Sequence, residues 1–271
     1  MEFSKRVAVI TGGGSGIGRA VAASMARRGI AAVALVDVSE AIEDVAAKLN
    51  AEAGRTFAIP FHGNTTDEAF RAQVYDSISR KYGPVSMCVP AAGITRDDLA
   101  VRVDKNTGKA RIYPLDQFKL VVDVNLIAPV YWALEMIGRI AEDRAAKGLK
   151  RWAPEEGMQG SVVFIGSISS QGNRGQISYA STKAGLEGAA ATSMKEAVYY
   201  GVRCSVIHPG FTDTPMVRAM GMDYVAKNIL PFTQLGRLIQ PEEIADAICF
   251  MLANSAVSGE LWVDAGWHAP A

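Results

Sequence analysis

The stretch ISYASTKAG, residues 177–185, sets Tyr179 and Lys183 four positions apart. On a helix, positions i and i+4 share a face, so the ammonium of one can stand beside the phenol of the other. A phenol ordinarily titrates near pH 10. A neighbouring cation stabilises the phenolate and brings such a tyrosine toward proton transfer near neutral pH. Alone the spacing is common by chance, and ordinary helix surface explains it too; two further residues raise its weight. Ser167 follows the apolar run SVVFIG, at a strand end of the kind that holds ligands in open α/β sheets, and its hydroxyl can hold a carbonyl oxygen. Asn125, in VVDVNLIAP, can anchor a water leading to Lys183. The alternatives are structural: a turn cap for Ser167 and a partner for buried backbone for Asn125.

Near the start, TGGGSGIGRA follows an apolar run and precedes a helical pattern. Glycines there permit positive φ and close backbone approach, while the free N–H groups of the helix start can face a pyrophosphate. Asp37 closes the second apolar run, 19 residues after Gly18. A carboxylate there accepts hydrogen bonds from adenosine ribose hydroxyls and repels a 2′-phosphate. Ser15 adds no cation that would attract that phosphate, so both positions favour NAD over NADP. The competing role for Asp37 is to cap the next helix, which Ser39 can also do.

These residues need a scaffold, and the hydropathy pattern supplies one. Apolar runs at Val7–Ile10, Ala32–Val36, Thr56–Phe61, Val85–Val89, Ser161–Ile165, Arg203–Ile207 and Glu260–Val263 read as strands, with helical patterns near 17–28, 41–52, 67–80, 116–145, 178–200 and 241–253. Strands without polar alternation are buried on both faces, which implies a seven-stranded parallel sheet with helices on both faces. The expected fold is a single doubly wound α/β domain of the Rossmann kind over residues 1–271. Residues 103–114 and 145–160, rich in charge, Gly and Pro, read as surface additions.

Composition narrows the function classes. The chain has 271 residues, 49% of them hydrophobic, enough for one large core. Lys plus Arg equals Asp plus Glu at 28 each, so no global field draws it to nucleic acid or an acidic membrane, and neither partner is expected. The opening apolar run is too short for a signal or spanning segment, and a cytoplasmic protein is expected. Cys88, Cys204 and Cys249 are widely spaced in apolar contexts, which argues against disulfides and against a metal site.

Together these features resemble the classical short-chain dehydrogenase/reductase family over nearly the whole chain. TGGGSGIG matches the family's TGxxxGxG, placing Gly12, Ser15, Gly16, Ile17 and Gly18 in the cofactor loop, and the family's catalytic tetrad falls on Asn125, Ser167, Tyr179 and Lys183. HPGFTDTPM matches the Pro-Gly segment after the sixth strand, with Pro209 and Gly210. The resemblance implies a nicotinamide held by the Thr212 backbone and the Thr214 hydroxyl and a ribose held by Tyr179 and Lys183. It also implies an adenine beside Asn64 and Thr65 of GNTTD, further contact at Ala92 and Gly93 of PAAG, and a homotetramer built on the long helices. Two positions depart from the pattern. PAAG stands where the family has Asn-Asn-Ala-Gly, removing a side-chain tie between strands, and Ser167 lies 12 residues before Tyr179, one fewer than the commonest spacing, which keeps Ser169 as a reserve.

For the substrate, AAGITRDDL and GNRGQISYASTKAG resemble 3-oxoacyl-acyl carrier protein reductases, a branch that favours NADPH. Asp37, the segment before PLDQFKLVVDVNL and the ending SGELWVDAG look more like NAD-dependent 3-hydroxyacyl-CoA dehydrogenases. Arg144 is a candidate contact for an acidic carrier, while VYYG at 198–201 lacks the second basic residue. Residues 215–235 fall where the family places its substrate lid, and Met216, Met220, Met222 and Phe232 suggest an apolar lining, core packing being the alternative. The expected activity is interconversion of an apolar secondary alcohol and its ketone by hydride transfer, with a catalytically silent NAD-binding sensor as the contrasting class.

Overall fold

The computed structural model describes residues 1–267; the last four positions of the domain expected over 1–271 lie outside the described residues. In chain order the elements are β1 Val7–Thr11, α1 Gly16–Arg27, β2 Ala32–Asp37, α2 Ile42–Ala53, β3 Ala58–His62, α3 Glu68–Tyr82, β4 Val85–Pro90, β5 Val101–Val103 and β6 Ala110–Ile112. Then follow α4 Leu115–Val122, α5 Ala128–Ala146, β7 Gly160–Ile165, α6 Ile177–Ala197, β8 Val202–Pro209, α7 Pro215–Arg218, α8 Met222–Asn228, α9 Pro241–Ala253 and β9 Gly259–Val263.

Seven strands form one sheet in the order β3-β2-β1-β4-β7-β8-β9, every pairing parallel. The interior strands β1, β4, β7 and β8 are buried along their whole length, as uninterrupted apolar runs demand, whereas the edge strands β3 and β9 are only partly buried. Alternate strand residues feed two cores. Ile10, Val33 and Leu35 pack with α1, α2 and α9 on one face. Val9, Ala34 and Val36 pack with α3, α5 and α6 on the other. The strand order reverses between β1 and β4, which opens a crevice at their carboxyl ends, the place where ligands enter this architecture.

Between α4 and α5 the helix widens into a π turn, Asp123–Ile127, within what the sequence presents as one helix near 116–145. The stretch Leu115–Ala146 is long and apolar enough to cross a membrane by length and composition. Trp132, Ala133, Met136 and Ile140, however, are buried in the second core, as in the core helix of a sheet protein.

The third strand begins at Ala58 rather than Thr56 because the Asn50 side chain accepts from the N–H groups of Phe57 and Ala58 and donates to the Ala58 carbonyl. The 103–114 segment is ordered as half of an antiparallel hairpin, β5–β6, whose exposed residues carry no burial pattern to read. In the 215–235 region, Val225 and Ile229 make a small core with Phe211, Val217 and Trp267.

Candidate functional site

The crevice is built from the glycine loop outward. Gly12 adopts φ +67°, and a Cβ there would come within 2.7 Å of the Ala92 nitrogen; one on Gly18 would meet the Gly12 carbonyl oxygen at 2.3 Å. Only glycine lets β1, the loop and α1 approach so closely. The first turn of α1 holds no acidic residue, and Ser15, its N-cap, makes no side-chain cap bond, so the helix N–H groups stay available to an anion. Thr11 does the tying that the missing asparagine side chain would do. Its carbonyl accepts from Ala91 N at 3.1 Å and its hydroxyl from Ala92 N at 3.2 Å. Sequence reading overlooked this buried threonine, which looks like any other strand residue.

Asp37 closes β2 with Oδ2 accepting from Gly14 N at 2.9 Å and Oδ1 accepting from Ser39 N at 3.0 Å. It does not cap α2, whose N-cap position is Ala41, and Ser39 caps nothing beyond Ala41 N. A cleft of about 600 Å³ is lined by Gly12, Ser15, Gly16, Ile17 and Gly18 of the loop, and by Asp37. Asn64, Thr65, Ala92, Gly93, Tyr179, Lys183 and Thr214 also stand on its wall, whereas Pro209, Gly210 and Thr212 of the expected set do not. A smaller pocket of about 130 Å³ adjoins it, lined by Ser167, Ser169, Pro209, Gly210, Phe211, Thr212, Met216, Val217 and Met220. Ile17, Ile165, Tyr179, Thr214 and Met216 line both, so the two spaces meet at Tyr179.

At that junction, Ser167 and Ser169 are distinguished by their partners. The Ser167 hydroxyl accepts from Ser169 N at 3.1 Å, capping the short turn that follows β7, and stands near enough to the Tyr179 phenol to lower its pKa. Ser169 Oγ instead donates to Gln176 Oε1 at 2.9 Å. Across the 12-residue spacing, Ser167 is the serine that faces the Tyr179 phenol, while Ser169 is turned to Gln176. Asn125 sits in the π turn, fully buried, its Oδ1 accepting from Ile94 N at 2.9 Å and its Nδ2 donating to Ile94 O at 2.8 Å. It lines neither cavity among the described residues and acts on the backbone beside Gly93, where an added Cβ would lie 3.5 Å from Asn125 Oδ1 and 4.0 Å from Lys183 Nζ.

Lys183 behaves differently from the expectation. Its Nζ donates to Ile165 O at 2.7 Å and lies 5.4 Å from the centre of the Tyr179 ring, over the face rather than at the hydroxyl. Burial pushes the Tyr179 phenol up to about 12, against the Ser167 hydrogen bond that lowers it and with Asp97 adding to the rise. Burial pushes Lys183 down to about 8. Loss of water around each charge outweighs the help that either would give the other.

The lysine shift has a stability signature. The unfolded chain keeps the Lys183 proton up to its ordinary 10.5, the folded protein releases it near 8, and stability therefore rises with pH between those limits. The slope is about 1.4 kcal/mol per pH unit at most. Urea unfolding at pH 7.5 and 9.5 should show the wild type gaining about 2 kcal/mol relative to Lys183→Met; equal pH dependence in the two proteins would contradict the burial cost. Tyr179 does not disturb this window, since its raised value acts only above pH 10.

Comparison with known proteins places this arrangement. Residues 6–224 match the model of the short chain dehydrogenases. The chain belongs to the short-chain dehydrogenase family. It is 31% identical over 272 residues to the 3-oxoacyl-[acyl-carrier-protein] reductase of Escherichia coli, covering 99% of each chain. It is also 31% identical over 267 residues to the (3R)-3-hydroxyacyl-CoA dehydrogenase of Canis lupus familiaris, covering 94% of this chain and 92% of that one. A short-chain type dehydrogenase/reductase structure from Mycobacterium marinum superposes with a TM-score of 0.83 at 23% identity, covering 99% and 98% of the two chains, and shares the fold. The protein is thus an oxidoreductase acting on CH–OH groups of a small-molecule substrate, in a family that binds a nicotinamide dinucleotide.

Within this family fold some expected residues take other duties. Arg144 is 2% exposed, with its two terminal nitrogens bound to Glu156 and to the Lys150 carbonyl, so it offers nothing to an acidic carrier. Met216 and Met220 line the pocket, but Met222 lines neither cavity and Phe232 packs on Trp267. Among the wall residues that sequence reading does not single out are Gln176, which donates to Asp97 Oδ2 at 2.8 Å, and Asp97 itself. Their polar types in a loop and at a helix start carry no periodic signal.

Proposed function

We propose that the protein is an NAD(H)-dependent dehydrogenase that interconverts an apolar secondary alcohol and its ketone, with a 3-hydroxyacyl-CoA as the best-supported substrate. The observation that carries this reading is the meeting at Tyr179 of the cleft lined by the glycine loop and a pocket with Phe211, Met216, Val217 and Met220 on its wall. The bound dinucleotide supplies hydride chemistry at its nicotinamide. Glycine-loop backbone and the α1 N-terminus would hold the pyrophosphate, Asp37 would hold the adenosine ribose, and Asn64 and Thr65 would border the adenine. Tyr179, protonated through the physiological range, gives its proton to the ketone oxygen, which Ser167 holds; in the oxidative direction the same phenol oxygen takes the proton back. Lys183 and Tyr179 hold the second ribose, and Thr212, Thr214, Pro209 and Gly210 shape the nicotinamide end. Asn125 fixes the Ile94 backbone and supports a water relay toward Lys183.

Phe211, Val217, Met216 and Met220 favour an apolar chain next to the carbinol carbon. Both compared enzymes are named for 3-oxoacyl or 3-hydroxyacyl thioesters, and the burial of Arg144 favours the coenzyme A thioester over the carrier protein. The 215–235 region serves as the lid. Leu120, Ile127, Tyr131 and Leu134 leave an exposed apolar strip on the long helices, which supports a homotetramer, and three buried free thiols suit the cytoplasm.

A panel of secondary alcohols followed by NADH absorbance tests the reading. Medium-chain 3-hydroxyacyl-CoA should give the highest kcat/KM and sugar alcohols the lowest. Cofactor binding without turnover on any alcohol would favour the sensor.

A further inference from the structure

His208, near the carboxyl end of β8 and one strand in from the β9 edge, is fully buried, yet its Nε2 makes no hydrogen bond among the described residues. The ring cannot turn away to find one. Trp262 of β9 stacks on it, with centroids 4.1 Å apart and planes 12° from parallel. On the other edge, Nδ1 lies 3.2 Å from the Ser167 carbonyl oxygen and within accepting distance, 3.3 Å, of the Ser167 N–H. Nε2 is thereby aimed at one place, where Glu260 Oε2 stands 3.4 Å away and Glu187 Oε1 3.8 Å away. The three atoms lie within 4.8 Å of one another. A cavity of about 40 Å³ opens beside both carboxylates, room for one ion and a water.

We propose that Glu187, His208 and Glu260 form a binding site for a divalent transition-metal ion, with Zn²⁺ the matching cation. Two carboxylates converging on an imidazole nitrogen without hydrogen bonds leave an excess of negative charge and a lone pair that a dication satisfies together. Bonds of about 2.0–2.1 Å to nitrogen and oxygen put the corners of a tetrahedron about 3.3 Å apart. The two observed separations from Nε2 approach that edge, and both glutamates, 31% and 43% exposed along their side chains, have the freedom to close on an ion. Water entering from the cavity supplies the fourth ligand. An imidazole disfavours Mg²⁺ and Ca²⁺, which take all-oxygen shells.

A metal on Nε2 requires the proton on Nδ1, which then donates to the Ser167 carbonyl in place of accepting from the Ser167 N–H, as carbonyls commonly orient histidine ligands. The ion therefore steadies the backbone of the residue whose hydroxyl meets Tyr179. The site lies outside both cavities at Tyr179 and does not rest on the substrate assigned above.

The test uses full-length protein without a histidine tag, stripped with EDTA and titrated with Zn²⁺ by calorimetry at pH 7.5. One ion per chain is expected, with X-ray absorption showing an imidazole nitrogen and oxygen neighbours near 2.0–2.1 Å. The Glu187→Gln/Glu260→Gln double variant, altered at two partly exposed side chains, should weaken binding by at least about 100-fold. It should keep the melting temperature of the stripped wild type. Absence of stoichiometric binding, unchanged affinity in the double variant, or sulfur in the coordination shell would each overturn the assignment.

Discussion

Tyr179→Phe should lose turnover by about 10³-fold or more in kcat while holding the dinucleotide within a few-fold of the wild-type Kd. The change removes one oxygen from a residue that stands where the two cavities meet, and leaves the ring that packs under Lys183. A positioned general acid contributes about 10²–10⁴-fold. The upper part of that range is expected because the other polar groups at the junction cannot substitute. Ser169 is engaged by Gln176 and Lys183 by the Ile165 carbonyl, and buried Asn125 lines neither cavity. Steady-state kinetics with fluorescence titration of NADH separates the two effects; near-normal kcat would remove Tyr179 from the chemistry.

The second large effect concerns cofactor choice. Asp37→Ser combined with Val38→Arg should shift the ratio of kcat/KM for NAD over NADP by at least about 100-fold toward NADP. Asp37 lies on the cleft wall with Oδ2 held by Gly14 N, and Val38 beside it is 70% exposed, so an arginine there can extend without disturbing the core. Two like charges about 4 Å apart near a protein surface repel by about 4 kcal/mol, more than enough for that factor after screening by salt. A wild type that prefers NADP, or a ratio unmoved by the double change, would show that Asp37 does not face the ribose.

How far the sequence could be read depends on how each feature is encoded. The interior strands were legible because burial on both faces leaves an unbroken apolar run, as in VAVIT and SVVFIG. The glycine loop was legible because close approach excludes every other residue type. The β5–β6 hairpin was not, since its residues are exposed and alternate with nothing. The π turn around Asn125 leaves no mark in a period of 3.6, and a one-residue widening is visible only in coordinates. Spacing singles out Tyr179 and Lys183 as neighbours but says nothing of the water lost around them, which pushes the phenol up and the ammonium down. Arg144 shows the same limit: a basic residue on a helix reads as surface until Glu156 is seen to cover it.

The central claim is hydride transfer to a carbonyl carbon held beside Tyr179. The most direct measurement is reduction of a 3-oxoacyl-CoA with NADH carrying deuterium at C4 of the nicotinamide, followed by NMR of the product. One C4 face should deliver deuterium to the C3 carbinol carbon in the wild type, and Tyr179→Phe should form the labelled product about 10³-fold or more slower. Deuterium found only when the solvent is D₂O, or bound NADH that is never consumed, would contradict it.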